Sequence, residues 1–600
     1  MKVKIYPFLL LLFVGFTLQA QDKHKFEFSG NDFLLDGKSF QIIGGEMHPA
    51  RIPHEYWRHR IQMAKAMGCN TISAYIFWNY HETSKGIFDF KSENRNLSEF
   101  IKIVKDEGMW LILRPGPYAC AEWDFGGLPA YLLEKPDIKI RCMDPDYISA
   151  VKTYIDALIP IVKNGMSING GPILMVQIEN EYGSYGNDRN YLHFLKNYWQ
   201  SKGVDGPFYT ADGATPYMLE AGSLDSCAIG LDSGSSKEDF AEAFKKNPNV
   251  PSFSSETYPG WLTHWGEKLA EVKTADIMKE VRFLLQNKKS FNLYVIHGGT
   301  NFGFFAGANS GGKGYEPDIT SYDYDAPISE QGLPTPKFDS LRALISEFKG
   351  KLPAIPPVIK SISVPCIKME AFSSVWNQLP RAVKSVQPKP MESYGQFNGF
   401  ILYRTKLTGH KSGKLKITEM HDFSLIYLNS GFVGKLDRRL AENSIQLPES
   451  DKKIPQLDIF LEAMGHINFA QEMIDRKGIT ERATLNGMTL MNWDVFNLPF
   501  DKNYIQSLKT TKVDTAQKLI FFKGNFNLLK TGDCWFDMSE YTKGLIFING
   551  HNLGRYWNIG PQQRLYCPAS WLNEGENEIL VFDLLQSQPK EITGYPFSMQ

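Results

Sequence analysis

Gly170-Gly-Pro-Ile-Leu-Met-Val-Gln-Ile-Glu179-Asn180-Glu181-Tyr182-Gly183 is the stretch on which the reading of this chain turns. An apolar run, Ile173–Ile178, ends in two carboxylates flanking an amide. The run is too short for a helix and follows a glycine pair, so it reads as a strand buried on both faces, as in a parallel sheet covered by helices. Polar groups delivered just past the end of such a strand stand where α/β folds place their chemistry.

Working outward, seven further runs of the same kind occur between residues 24 and 350. They are Phe40–Gly45, Asn70–Trp78, Trp110–Arg114, Phe208–Ala211, Ser226–Leu231, Pro251–Glu256 and Phe291–Gly298. Helical windows separate them. In Glu55–Met67 the residues Trp57, Ile61, Ala64 and Met67 recur at helical spacing, and Leu97, Phe100, Ile101 and Val104 share one face of the next window. Eight βα units of this size match a (β/α)8 TIM barrel. A doubly wound open sheet is the alternative, but the glycine-rich dinucleotide turn it often carries is absent.

The Pro-rich segment Leu352-Pro-Ala-Ile-Pro-Pro357 closes this region, and residues 351–390 read as a linker and the start of a β region. Beyond it short alternating strands dominate, such as Ile401–Leu407 and Leu519–Lys523. Leu425-Ile-Tyr-Leu-Asn429 with Gly434-Lys435 is echoed by Leu545-Ile-Phe-Ile-Asn549 with Gly554-Arg555, at a constant offset of 120 residues. That repeat predicts a duplicated β-sandwich, one copy over 391–485 and a second over 486–600.

The composition sets outer limits. Six hundred residues are too many for one core. With 65 basic against 66 acidic residues the chain lacks the basic footprint that nucleic acid requires. Met1-Lys-Val-Lys, the apolar run Ile5–Leu18 and Leu18-Gln-Ala20 read as a cleavable signal peptide, residues 1–20. The apolar run is shorter than the roughly 20 residues a span needs, so the mature chain is expected to be exported without a membrane span, to the periplasm or the extracellular space. Seven cysteines are sparse for this length and include no C-x-x-C pair, which argues against a disulfide framework or a structural zinc.

Two more strand ends carry acids: Pro251-Ser-Phe-Ser-Ser-Glu256-Thr-Tyr258-Pro-Gly-Trp261 and Leu113-Arg-Pro-Gly-Pro-Tyr118-Ala-Cys-Ala-Glu122-Trp123. Carboxylates from opposite strand ends suit acetal hydrolysis, in which one protonated acid serves the leaving oxygen and one ionised carboxylate the anomeric carbon. Ideal alternation would put Glu179 and Glu181 on one face and Asn180 on the other, but both cannot be proton donors and strand ends bend, so alternation does not choose between them. The plain alternative for each acid is a salt bridge with a barrel arginine such as Arg114. His48, His81, His264 and His297 also fall at strand ends. They are scattered rather than set at ligand spacing, so they read as hydrogen-bonding pocket walls with no metal.

These motifs resemble glycoside hydrolase family 35, the acid and lysosomal-type β-galactosidases. The resemblance rests on Gly170–Gly183, on Arg114–Trp123 with Gly126-Gly-Leu-Pro129, on Ser255–Trp265, on Gly298-Gly-Thr-Asn-Phe302 and on Thr320–Pro327. It implies Glu181 as acid/base and Glu256 as nucleophile of a retaining double displacement, with no cofactor. It further implies that Tyr75, Ala121, Glu122, Asn180, Tyr258, Trp261 and Tyr324 line the sugar pocket, and that the sandwiches are galactose-binding-like modules. The substrate implied is a terminal, non-reducing β-D-galactose on an oligosaccharide or glycan, and a homo-oligomer is compatible with it. An exo-β-glucosaminidase of the same family and a non-catalytic sugar-binding protein are the alternatives. Two departures stand out: Gly45-Glu-Met-His-Pro-Ala-Arg-Ile-Pro53 where many members carry His-Tyr, and Phe304 where some place a pocket tyrosine.

Overall fold

The computed structural model describes residues 23–311, 314–514 and 516–598. The expected signal segment, residues 1–20, lies outside the described residues. Eight parallel strands close into a barrel: β1 (Ile43–Met47), β2 (Thr71–Tyr75), β3 (Trp110–Arg114), β4 (Ile173–Gln177), β5 (Phe208–Asp212), β6 (Ala228–Asp232), β7 (Ser252–Thr257) and β8 (Phe291–His297). They are the eight runs read from the sequence, with ends moved by a few residues. β1, β2, β4, β5 and β8 are buried throughout, because helices cover the outside and side chains fill the inside. The first helix, Trp57–Met67, sets Trp57, Ile61, Ala64 and Met67 against the barrel. It stops at Gly68, where φ is 110° and a Cβ would lie 2.6 Å from Ile345. An N-terminal hairpin plugs the far end of the barrel through Phe26 and Phe33, the latter edge-on to Phe253 at 5.7 Å.

Two β-sandwiches follow, but their boundaries differ from those expected. Trp493–Leu498 pairs with Gly399–Lys406 inside a six-stranded sheet, so it belongs to the first sandwich and not to a second one beginning at 486. Val364–Ile367 and Glu370–Ser374, expected in the linker, pair with Ile592–Tyr595 and Ile520–Leu528 and so complete the second sandwich. The first sandwich is therefore inserted within the second. Sequence order alone hides this, since an antiparallel partner can sit any distance away along the chain.

The repeat has a structural meaning. Phe423–Leu428 and Lys543–Ile548 are fully buried strands, each followed by a hairpin turn at Asn429 or Asn549 with φ of 50°. One set of alternate residues (Leu425, Tyr427; Leu545, Phe547) meets in a shared core between the modules. The other set, Ile426 and Leu428 or Ile546 and Ile548, fills each module's own interior. Buried Glu462 of the first module pairs with Lys543 (2.7 Å) and Arg555 (3.2 Å) of the second, which fixes how the two sheets stack.

All seven cysteines are free thiols. No helix among the described residues is long and apolar enough to cross a membrane.

Candidate active site

Arg114, the last residue of β3, organises the barrel mouth. Its guanidinium donates to Gln177 (2.6 Å), Glu46 (2.5 Å), Asn180 Oδ1 (2.9 Å) and Glu256 Oε1 (2.5 Å), so one cation ties together the ends of β1, β3, β4 and β7. Glu46 is in turn held by Asn292 from β8 at 2.8 Å. Tyr75 at the end of β2 donates to Glu256 Oε1 at 3.2 Å, and Tyr258 donates to Oε2 at 2.9 Å. Glu256 thus has both oxygens held by donors, with its far side facing the pocket.

Glu181 is built differently. β4 ends at Gln177, and the chain then passes through left-handed conformations at Glu179 (φ 60°) and Glu181 (φ 45°) before a short helix, Tyr182–Tyr185. Such conformations are costly for non-glycine residues and persist where surrounding contacts impose them. Here the Glu181 amide donates to the Ala211 carbonyl (2.9 Å) and the Gly183 amide to Asp212 (2.5 Å). Gly183 is obligatory, because a Cβ there would lie 2.2 Å from the Met218 carbonyl oxygen.

These kinks settle what alternation left open at 179–181. Glu179 turns away from the pocket to a bidentate pair with buried Arg141 (3.0 and 2.8 Å) and accepts from Tyr191 at 3.1 Å. Asn180 and Glu181 both face the pocket, their side chains 3.3 Å apart. The plain salt-bridge reading therefore holds for Glu179 and fails for Glu181. Arg114, the arginine named as the alternative partner, engages Glu256 within the site itself.

The pocket between the two acids has a volume of about 190 Å³. All seven residues carried over as sugar contacts line it: Tyr75, Ala121, Glu122, Asn180, Tyr258, Trp261 and Tyr324. Cys120, Ala121 and Glu122 lie consecutively in the left-handed region (φ 67°, 62° and 48°), a turn clamped where Arg51 donates to the Ala121 carbonyl at 2.5 Å. Tyr322 donates to Glu122 at 2.5 Å, and Arg51 stacks on the Tyr322 ring at 3.6 Å. Trp261 is 49 % exposed at the rim.

Five lining residues were not singled out from the sequence: Cys120, Leu262, Tyr294, Asn309 and Phe469. Tyr294 was findable as an inward position of β8. Phe469 was not, because it comes from the first β-sandwich. The segment carrying it docks on the barrel through the Tyr118 hydroxyl to the Asn468 carbonyl (2.6 Å) and His466 to Asp124 (2.8 Å). The Asp124 carboxylate is the chief partner that pushes His466 up to about 10 against the opposing effect of burial, so the docking contact is an ion pair.

Other expectations need correction. None of His48, His81, His264 and His297 lines the pocket. His48 bonds Arg51 one layer below it, His81 meets the Asp89 carbonyl, and His297 meets Arg60. Phe304 packs in the core between the modules, with the Arg555 guanidinium over its ring, so no pocket hydroxyl is lost there. Three metal-capable side chains, His264, Glu267 and Glu316, come within ligand reach of one another outside the pocket, and His264 is already bonded to Glu267 at 2.9 Å.

The electrostatics separate the two acids. Burial pushes the Glu181 carboxyl up to about 8, and the nearby charge of Glu256 adds to the rise. Burial also raises Glu256, but the Arg114 guanidinium and the Tyr258 hydroxyl oppose that rise. With a cation in direct contact, Glu256 is the member of the pair that ionises first. Burial beside the Glu256 charge favours the protonated form of Glu181, and the Arg114 contact favours the ionised form of Glu256, the split that retaining glycoside cleavage uses.

Residues 32–348 match the family model of glycosyl hydrolases family 35. The chain belongs to that family. Residues 388–499 match a model described as the first all-beta domain of beta-galactosidase, and residues 519–577 one described as its galactose-binding domain. Similar proteins include a beta-galactosidase of Xanthomonas manihotis, 37 % identical over 95 % of this chain and 96 % of that one. The beta-galactosidase of Mus musculus is 37 % identical over 94 % and 92 %, and that of Homo sapiens 35 % over 97 % and 91 %. As a family 35 member the protein is a glycoside hydrolase.

Proposed function

We propose that the protein is an exo-acting, retaining β-galactosidase that removes terminal non-reducing β-D-galactose from oligosaccharides or glycans. The observation that carries this is the asymmetric pair in one pocket: Glu256 bound to Arg114 and two tyrosines, Glu181 bound to an amide alone. A space of about 190 Å³ is well below the roughly 300–1,000 Å³ of pockets that hold drug-sized ligands, and suits one sugar ring rather than a chain. The relatives' names supply the sugar.

In the first step Glu256 attacks the anomeric carbon while Glu181 gives its proton to the leaving oxygen. In the second Glu181 takes a proton from water, which attacks the anomeric carbon from the face the leaving group vacated and releases Glu256 as a carboxylate. Arg114 and the tyrosine hydroxyls stabilise the carboxylate that leaves, and Asn180, fixed by Arg114 and Gln177, presents its amide beside Glu181. Glu122 accepts from sugar hydroxyls in the first step and the second alike.

The test is turnover of nitrophenyl β-D-galactoside beside the matching β-glucosaminide. Preferential galactoside hydrolysis supports the reading, and preferential glucosaminide hydrolysis overturns the sugar assignment. We also infer export, from the basic start and short apolar run of residues 1–20.

A further inference from the structure

A second cleft, of about 300 Å³, opens where the barrel mouth meets the C-terminal sandwich. Its barrel wall carries Tyr80 and Phe305, edge to face at 5.3 Å, and its module wall carries Trp571, which meets Phe302 of the loop after β8 at 4.5 Å. Each of these rings is only part-buried. Polar groups stand among them: Arg95, whose guanidinium lies 4.4 Å from the Tyr80 ring centre, exposed Glu93, and His551 stacked on Trp571 at 4.7 Å. The joint is rigid. The Gly303 amide donates to the Asn552 carbonyl (3.1 Å), and Tyr56 donates to Asp533 (2.6 Å) across the same boundary.

We propose that this cleft is a second carbohydrate site, which holds a neutral, galactose-containing chain while another chain end is cleaved in the pocket. Flat rings on facing walls with hydrogen-bonding groups between them match the amphipathic pyranose, whose C–H face packs on aromatics and whose hydroxyls need polar partners. The lining sets Glu55 and Glu93 against Arg95, which disfavours a strongly charged ligand. The duplicated hairpin gives independent support. Its first copy has Gly431-Phe432 at the turn, whereas the copy facing the barrel has His551-Asn552 at the equivalent positions, where both line the cleft. The site belongs to neither half alone, since Tyr80 and Phe305 come from barrel loops. A stack of Phe305 on Trp123 (4.7 Å) and Trp123 on Phe77 (4.2 Å) separates it from the sugar pocket, and both open at the same end of the barrel.

The choice of galactose as probe rests on the proposed galactosidase reading; the cleft does not. Full-length Glu256→Gln protein, which cannot turn substrate over, is run in native gels containing soluble β-galactan. Ser570→Arg, at the exposed rim, fills the cleft without removing packing, and Trp571→Ala removes a wall. Each, added to Glu256→Gln, is expected to raise the apparent galactan dissociation constant at least fivefold. In the wild-type background, Ser570→Arg leaves nitrophenyl galactoside kinetics within twofold. No retardation of the parent, or equal retardation of the parent and Ser570→Arg, overturns the site. Wild-type turnover of nitrophenyl galactoside separately decides the galactosidase reading.

Discussion

Replacing Glu181 by Gln should change how the protein's stability depends on pH, in a direction the pocket fixes. Burial and the Glu256 charge push the Glu181 carboxyl from an ordinary 4.5 to about 8 in the folded protein. The unfolded chain ionises this group near its ordinary value, so the folded state binds the extra proton throughout that interval. Stability contributed by a raised carboxyl is fully present below the unfolded value and is lost as pH climbs toward the folded one. One pH unit corresponds to about 1.4 kcal/mol, so between pH 4.5 and 7 this single group removes about 3 kcal/mol. Glutamine keeps the shape and carries no proton to lose. The difference in melting temperature between Glu181→Gln and the parent should therefore be small at pH 4.5 and widen steadily in the variant's favour up to about pH 8. Differential scanning fluorimetry across that range, with both proteins in the same buffers, reads it directly. A difference that stays flat with pH would refute the claim that Glu181 is held protonated by its surroundings.

Further outcomes follow from the same geometry. Glu256→Gln should lower turnover of every galactoside by at least about 10⁴-fold while equilibrium binding of galactose stays within severalfold, because the nucleophile is lost and the sugar contacts are not. Glu181→Gln should slow glycosylation by alkyl galactosides about 10²–10⁴-fold but activated aryl galactosides far less, since only the former need the proton; equal losses would remove Glu181 from that role. Tyr258→Phe deletes one hydrogen bond to the Glu256 carboxylate, worth about 1.5–3 kcal/mol, and should cost about 10–100-fold in kcat/KM. Arg141→Met leaves Glu179 buried without its cation and should destabilise the protein by about 3–5 kcal/mol in denaturant titration, a loss that a surface position would not show.

The barrel was legible because its eight strands are buried on both faces and read as continuous apolar runs that helical windows separate. Glu122, Glu179, Glu181 and Glu256 were legible as candidates because they stand at the ends of such runs, and the family resemblance singled out Glu181 and Glu256. What escaped the sequence escaped for geometric reasons. Alternation could not decide 179–181 because β4 ends at Gln177 and two left-handed residues redirect the chain, a feature that no side-chain pattern encodes. Arg114 looked like a competitor for the acids and is in fact the group that distinguishes them. Phe469 and the inserted order of the sandwiches depend on contacts between segments far apart in sequence, for which a single chain gives no periodic signal. The hairpin repeat was visible at once, yet only the stacked sheets show that its alternate residues fill two different cores.

The account's central claim is that Glu256 and Glu181 work from opposite faces of the sugar, through two successive displacements at the anomeric carbon. Proton NMR of the product released from nitrophenyl β-D-galactoside in the first moments of the reaction tests it most directly. Retention through a Glu256 ester predicts β-galactose first, with the α-anomer growing in only by mutarotation. Release of α-galactose first would contradict the double displacement.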